Sequence, residues 1–150
     1  MGKQTMSDSR KQNTPAWFMV VAVVALLWNL LGVLAFIMQV TMSPEMLAQL
    51  PQDQQDLFSA TPTWVTVAFA VAVNFGALGC LLLILKKNLA GLFLQLSLVA
   101  VLVQFAYNFF MANTLEVYGM TAMVLPIFTI LVSIYLVTLA AKAKRMHWTS

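Results

Sequence analysis

Four long apolar runs constrain the fold of this chain more than any other feature of its sequence. They occupy residues 17–40, 64–85, 89–112 and 120–141, and none of them contains Asp, Glu, Lys, Arg or His. Each run holds at least 22 residues. At about 1.5 Å per residue, a helix of that length crosses a hydrocarbon core of roughly 30 Å. The sequence therefore predicts four transmembrane helices.

Charged residues are sorted between the two ends of these runs. All eight Lys and Arg residues lie before the first run, between the second and third, or after the fourth. Four of the five acidic residues lie in the other two connections, which contain no basic residue. Since cytoplasmic loops of membrane proteins are rich in Lys and Arg, both termini are predicted to be cytoplasmic. The predicted fold is an all-α integral membrane protein, an antiparallel bundle of four transmembrane helices oriented N-in and C-in.

The regions outside the runs are short and polar. Residues 1–15 are rich in Ser, Gln, Asn and Lys, which predicts a disordered cytoplasmic tail. Residues 16–141 form the predicted membrane domain, and 142–150 form a basic cytoplasmic tail. In the outer connection 41–63, the Ser-Pro-Glu sequence at 43–45 combines an N-cap, a proline suited to the first helical position and an acidic residue. This connection is predicted to contain a short outer amphipathic helix, with a flexible loop as the alternative.

The apolar runs lack the side chains on which most catalytic and transport chemistry depends. No carboxylate lies inside them, so a proton-coupled carrier of the usual kind has no residue to carry its proton. The single cysteine, Cys80, and the single histidine, His147, have no catalytic or metal-binding partner near them in sequence. The chain is therefore predicted to have no enzymatic activity, no metal and no cofactor. Its basic residues flank helix ends, where the lipid bilayer is the expected partner and nucleic acid is not.

Four amide side chains are the main polar groups inside the predicted spans. Asn29 and Asn74 lie at the midpoints of the first and second runs, so antiparallel packing would place them at the same depth. An unpaired amide in hydrocarbon costs several kcal/mol, which predicts that the two pair, inside one protomer or across a dimer. Gln104 and Asn108 lie four residues apart and share one face of the third helix. The four amides either hold the helices together or bind a small polar neutral solute.

A proline in the fourth run lies at the depth of the two amides of the third. Pro126 has no N–H to donate to the carbonyl of Ala122 and is predicted to kink the helix. The freed carbonyl and the polar groups at this depth predict a small outward-facing polar pocket, formed by Gln39, Gln104, Tyr107, Asn108 and Pro126. In the alternative interpretation, Thr129 or a neighbouring amide satisfies the carbonyl and no pocket forms.

Small residues mark the surfaces where the predicted helices approach each other closely. In the second run they form a ridge opposite Asn74, and in the first run a comparable strip surrounds Asn29. The residues predicted to permit the closest packing are Gly32, Ala72, Gly76 and Gly79. Either both faces of the second helix are covered within one bundle, or one face meets a second copy of the protein or another membrane protein.

Three segments resemble a family of small bacterial inner-membrane proteins: 28–32 (Trp-Asn-Leu-Leu-Gly), 41–46 (Thr-Met-Ser-Pro-Glu-Met) and 76–80 (Gly-Ala-Leu-Gly-Cys). Members of this family have four helices and about this length, and they are often named sugar transporters. The resemblance implies a multi-pass protein of the bacterial inner membrane. The chain departs from better-understood carriers, because it lacks the three-helix unit of the semi-symmetric sugar porters and the membrane carboxylate of the small multidrug pumps.

These observations leave two function hypotheses open. In the first, the protein passively binds or transports a small, neutral, sugar-like solute through the amides of Asn29, Asn74, Gln104 and Asn108. In the second, it is a non-transporting membrane subunit or scaffold, and the same amides only join helices to each other.

Overall fold

The computed structural model describes residues 13–150, and every regular element in that range is a helix. In chain order the elements are α1 (Ala16–Val40), α2 (Pro44–Leu47), α3 (Gln52–Ala60), α4 (Thr63–Ile84), α5 (Ala90–Phe110), α6 (Thr114–Tyr118), a 3₁₀ turn (Met120–Met123) and α7 (Val124–Arg145). Four of them, α1, α4, α5 and α7 with its preceding turn, are long and apolar enough to cross a membrane. This confirms the predicted all-α fold with four candidate membrane spans. Most of the predicted tail 1–15 lies outside the described residues.

Proline and charge determine where the spans begin and end. Pro15 and Pro62 lie immediately before α1 and α4, where a helix needs no backbone N–H donor. The first three spans begin and end within two residues of the predicted runs. By contrast, α7 continues past its predicted end through Lys142, Lys144 and Arg145, because cations are favourable at the carboxyl end of a helix. The start of the predicted basic tail is therefore helical.

The connection between α1 and α4 contains two helices where one was predicted. Ser43 caps α2, and its Oγ accepts a hydrogen bond from the Met46 N–H at 3.2 Å. The pKa of Glu45 lies below its ordinary value because its carboxylate interacts with its own backbone N–H and with the Ser43 hydroxyl. The second helix, α3, is joined to the turn before it by Gln55, whose Nε2 donates to the Leu50 carbonyl at 2.7 Å.

The spans pack in a simple order. α4 lies between α1 and α5, and α7 packs on α5, whereas α1 and α7 make no comparably extensive backbone contact. The start of α1, the turn between α4 and α5, and the chain after α7 meet at one end of the molecule, which we call the termini end. The opposite end, which carries α2, α3 and α6, is the loop end.

The C-terminal segment, residues 146–150, closes the termini end. The backbone N–H of Ser150 donates to the Lys86 carbonyl at 2.8 Å, which ties the segment to the turn between α4 and α5. The Trp148 ring is buried and meets Trp17 edge-on, with 5.9 Å between the ring centroids. The predicted basic tail is therefore folded onto the bundle.

Buried side chains are concentrated toward the termini end. The largest core cluster joins all four spans and the C-terminal segment: Phe18, Ala22, Ala25, Cys80, Leu83, Ala90, Leu94, Leu136, Leu139, Ala140, Ala143 and Trp148. A smaller cluster nearer the loop end contains Ala72, Ala100 and Val101. We call the part of the bundle around the first cluster the packed half and the part toward the loop end the open half.

Candidate functional site

A cavity of about 330 Å³ lies among the four spans and extends into the open half of the bundle. All four spans contribute to its wall, which is mostly apolar. The wall side chains that can form hydrogen bonds are those of Trp28, Asn29, Ser97, Gln104, Thr129 and Ser133. The volume lies near the lower end of the range of about 300–1,000 Å³ that is typical of small-molecule sites. We therefore take this cavity as the candidate functional site.

Asn29 projects from α1 into the contact with α4. Its Nδ2 donates to the Ala25 carbonyl of its own helix at 2.9 Å and lies 3.6 Å from the Cys80 Sγ. Its Oδ1 lies against Gly76 of α4, so closely that a methyl group on that glycine would overlap it. Glycine at position 76 therefore makes room for the amide between the two helices.

The other two glycines of the predicted packing set also lie at helix contacts. A Cβ added to Gly79 would lie 2.6 Å from the Leu94 Cγ of α5. A Cβ added to Gly32 would lie 2.9 Å from the Val73 Cγ1 of α4. Both distances are shorter than a van der Waals contact, so the close approach of α4 to its two neighbours depends on these glycines.

Asn74 lies on the face of α4 that points away from the cavity. It is exposed on the outer surface of the bundle, and its Nδ2 donates to the Ala70 carbonyl at 2.8 Å. The predicted contact between Asn29 and Asn74 inside one protomer is therefore wrong. Asn29 and Asn74 can lie at the same depth without lying on facing sides of their helices. Gly76 faces α1, and Asn74, two residues earlier, points in nearly the opposite direction around α4. A contact across a dimer stays a prediction.

Three hydroxyls in the wall already donate hydrogen bonds to backbone carbonyls. Ser97 Oγ of α5 donates to the Ala72 carbonyl of α4 at 2.6 Å, which links two spans. In α7, Thr129 Oγ1 donates to the Leu125 carbonyl at 2.9 Å, and Ser133 Oγ donates to the Thr129 carbonyl at 2.8 Å. Sequence reasoning did not name these hydroxyls as binding groups, although the four-residue spacing of Thr129 and Ser133 places both on one helix face.

Gln104 is the wall residue whose entire side-chain amide is unpaired among the described residues. Its side chain is half-buried and lines the cavity, and among residues 13–150 no donor or acceptor pairs with its amide. Asn108 and Gln39 are also half-buried but lie outside the wall. The Tyr107 hydroxyl donates to the Ala60 carbonyl at 3.4 Å, near the loop end. These three residues of the predicted polar pocket are therefore not part of the cavity wall.

Pro126 shares the cavity wall with Gln104 but does not kink the interior of a helix. It occupies the first turn of α7, directly after the 3₁₀ turn, where no backbone N–H donor is needed. The predicted kink is replaced by a change from 3₁₀ to α-helix between residues 123 and 124. The predicted outward-facing polar pocket is thus corrected to a mostly apolar cavity that retains Gln104 and Pro126.

The wall of the cavity is incomplete between α1 and α7. Near the middle of the bundle, Trp28 and Phe128 meet edge-to-face with ring centroids 5.1 Å apart and bridge this gap. Closer to the loop end, the wall residues Leu31 and Leu125 are 62% and 61% exposed. The cavity therefore opens sideways between α1 and α7, toward the surface that lipid would cover.

Within residues 13–150, no group of three His, Cys, Asp or Glu side chains is placed to hold a metal ion. Comparisons of the chain with protein-family models, with curated proteins and with solved structures find no match. The cavity and the unpaired Gln104 amide in its wall are therefore the features on which a function can be proposed.

Proposed function

We propose that this chain is a multi-pass protein of the bacterial inner membrane that binds a small neutral solute in its central cavity. The observation that carries the proposal is that Gln104 lines a mostly apolar cavity while its amide has no hydrogen-bond partner among residues 13–150. The four apolar helices support a membrane location. The resemblance to small inner-membrane proteins supports the bacterial inner membrane, and the distribution of Lys and Arg supports an antiparallel bundle with both termini in the cytoplasm.

An amide in such a wall favours an occupant that can form hydrogen bonds. Transfer of an amide away from water without a partner costs roughly 2–7 kcal/mol. The hydroxyls of the wall already donate to backbone carbonyls. Among the described residues, the groups left for an occupant are therefore the Gln104 amide, the Asn29 Oδ1 and the Trp28 indole N–H. A solute that pairs with Gln104 removes the cost of the unpaired amide and gains affinity from it.

The same wall limits how polar the solute is. Among the described residues it contains no charged side chain, so a charged solute would lose its hydration without gaining a counter-ion. A sugar carries a hydroxyl on most of its carbon atoms, and each hydroxyl left unpaired would cost about 1–3 kcal/mol. We therefore narrow the sugar-like solute of the sequence-based hypothesis to a neutral molecule with an apolar body and one or two hydrogen-bonding groups.

The sideways opening between α1 and α7 gives such a solute a route from the lipid phase. A neutral molecule with an apolar body concentrates in the bilayer and so reaches the opening at a raised local concentration. The four apolar runs contain no Asp, Glu, Lys, Arg or His. This composition supports passive binding or passage over proton-coupled transport.

A neutral fluorescent probe, 1-aminoanthracene, tests the proposal because it has an apolar ring system and one amino group. We expect saturable binding to the purified protein in lipid nanodiscs. Gln104→Leu should weaken binding about tenfold, which corresponds to the loss of roughly 1.4 kcal/mol of hydrogen bonding. Gln95→Leu is the matched control, because Gln95 is an exposed residue of α5 outside the wall. A Gln104→Leu protein that binds the probe as tightly as the unmodified protein would contradict the proposal.

Two further measurements test the proposed orientation. Asp53→Cys, in a Cys80→Ala background, should react with a membrane-impermeant thiol reagent added to intact cells. A reporter domain fused after Ser150 should be found on the cytoplasmic side. The opposite result at either position would contradict the four-span arrangement with cytoplasmic termini.

A second candidate function, a non-transporting membrane subunit or scaffold, is favoured by Asn74. Its amide lies on the outer surface of the bundle, where another membrane-embedded protein segment would offer it a partner. Absence of saturable probe binding, together with a loss of stability in Gln104→Leu, would favour this function over solute binding.

A further inference from the structure

The middle of α4 presents a polar group to the outside of the bundle. Asn74 is exposed and lies at the twelfth of the 22 residues of this span. About 15 Å of helix separates it from either end of the span, too far for its short side chain to reach the headgroups. The exposed residues around it are apolar, with Val67 55% and Leu78 44% exposed. The amide is therefore placed near the bilayer centre in an apolar surface.

The hydrogen-bonding capacity of this amide is only partly used within one protomer. The Nδ2 donates once, to the Ala70 carbonyl at 2.8 Å. Its second N–H and its Oδ1 have no partner among the described residues, and lipid acyl chains offer none. The neighbouring spans are on other sides of α4, since α1 meets it at Gly76 and α5 meets it at Gly79. Since no part of residues 13–150 reaches this amide, a second membrane-embedded chain is the partner that suits its depth.

We propose that this face of α4 binds a second copy of this chain, with the two Asn74 side chains hydrogen-bonded to each other across a two-fold axis. The free N–H and Oδ1 of one amide complement those of the other, so a symmetric pair forms two reciprocal hydrogen bonds. Two copies inserted in the same orientation are related by an axis along the bilayer normal, which places identical residues at identical depth.

The residues beside Asn74 suit such a helix pair. Ala70 and Ala77 lie about one turn away on either side and carry only methyl groups, so two α4 backbones can approach closely. The span Thr63–Ile84 contains no charged residue, so two copies of this face do not repel each other. This interface is independent of the cavity, which lies on the other side of α4.

Disulfide crosslinking in proteoliposomes at low protein density tests the interface. Leu78→Cys, in a Cys80→Ala background, places a reporter one turn from Asn74 on the same face. Val99→Cys is the matched control, because Val99 is 59% exposed in the middle of α5 and points away from this face. We expect a disulfide-linked dimer from Leu78→Cys and only collisional crosslinking from Val99→Cys. Equal crosslinking at the two positions would overturn the proposal.

Substitution of Asn74 in the Leu78→Cys protein then tests the amide itself. Asn74→Leu should raise the dimer Kd about tenfold, measured by single-molecule photobleaching, because two interhelical hydrogen bonds are lost. Asn74→Gln keeps an amide and should retain most of the dimer. Circular dichroism checks that each variant is folded. The proposal would be overturned by a folded Asn74→Leu protein with an unchanged Kd, or by a protein that is monomeric throughout. Binding of a different membrane protein to this face in place of a second copy would also overturn it.

Discussion

The packed half and the open half of the bundle contain similar apolar residues but differ in how closely those residues pack. In the packed half, Phe18 and Leu83 are fully buried, and the Trp148 ring lies 5.5 Å from the Phe18 ring, measured between centroids. In the open half, Trp28 and Phe128 bridge α1 and α7, and a cavity remains beside them. α1 thus packs against the C-terminal segment at one end of the bundle, whereas toward the other end a single ring pair joins it to α7. An open cavity forgoes the dispersion contacts that its lining would otherwise make, so the packed half should contribute more to stability than the open half.

Removal of the Trp148 ring should produce the largest loss of stability and tests the packed half. The side chain is 7% exposed and packs edge-on against Trp17 and Phe18. Trp148→Ala should lower the free energy of unfolding by about 3–5 kcal/mol, measured by SDS titration followed by circular dichroism. The matched variant in the open half, Trp64→Ala, removes a ring that is 48% exposed and should cost clearly less. Equal losses would remove the distinction between the two halves.

Gly76→Ala tests the boundary between the halves, where Asn29 meets α4. The added methyl group overlaps the Asn29 Oδ1, so the free energy of unfolding should fall by about 1–3 kcal/mol. Gly91→Ala is the matched control, since the nearest atom to its added Cβ is 3.9 Å away and alanine is the better helix former. In an Asn29→Ala background, Gly76→Ala should lose most of its effect. Additive effects of the two substitutions would contradict the contact.

In the open half, Gln104→Leu should raise stability. Without an occupant, the amide has no hydrogen-bond partner in the described part of the chain, so an apolar side chain of similar size should add about 1 kcal/mol to the free energy of unfolding. The same SDS titration measures this gain, and Gln95→Leu should change the unfolding free energy little. A loss of stability in Gln104→Leu would instead indicate that the amide joins helices.

Ser97→Ala should have the smallest effect of the four substitutions. The Ser97 hydroxyl donates to the Ala72 carbonyl at 2.6 Å and joins α4 to α5. Interhelical hydrogen bonds of this kind contribute about 0.6 kcal/mol in membranes, and we expect a loss of that size. Thr138→Ala is the control, because its exposed hydroxyl donates to the Tyr135 carbonyl of its own helix. Indistinguishable unfolding free energies for the two variants would show that Ser97 does not help to hold the spans together.

The sequence is sufficient to predict the spans but not which face of each span is buried. Length and lack of charge identify a membrane helix directly. A helix that is apolar all round, however, has no polar face to mark its outer side. The ridge that contains Gly76 and Gly79 did indicate the buried face of α4. Asn74 lies opposite this ridge, and the pattern left open whether that opposite face is covered within the bundle or meets another chain. Depth alone was therefore a poor reason to pair Asn74 with Asn29.

The candidate site was predictable only in part. Gln104 and Pro126 could be placed together because their depths agree when counted from the ends of the third and fourth runs. The apolar character of the cavity could not be predicted, since it depends on the separation of α1 and α7, which are far apart in the chain. The helix α3 was missed because it is rich in Gln and Asp and has no apolar stripe that periodicity could detect.

The contact between Trp28 and Phe128 bears on how fast the cavity fills and empties. The Phe128 ring is 50% exposed, so it can rotate toward the lipid without displacing a helix. Rotamer changes of exposed side chains take picoseconds to nanoseconds, whereas shifts of whole helices take microseconds to milliseconds. Exchange through this gap would then be governed by the diffusion and hydrogen bonding of the solute rather than by a conformational cycle. Under the proposed function, the protein would act as an equilibrium reservoir within the bilayer, and its occupancy would follow the local solute concentration.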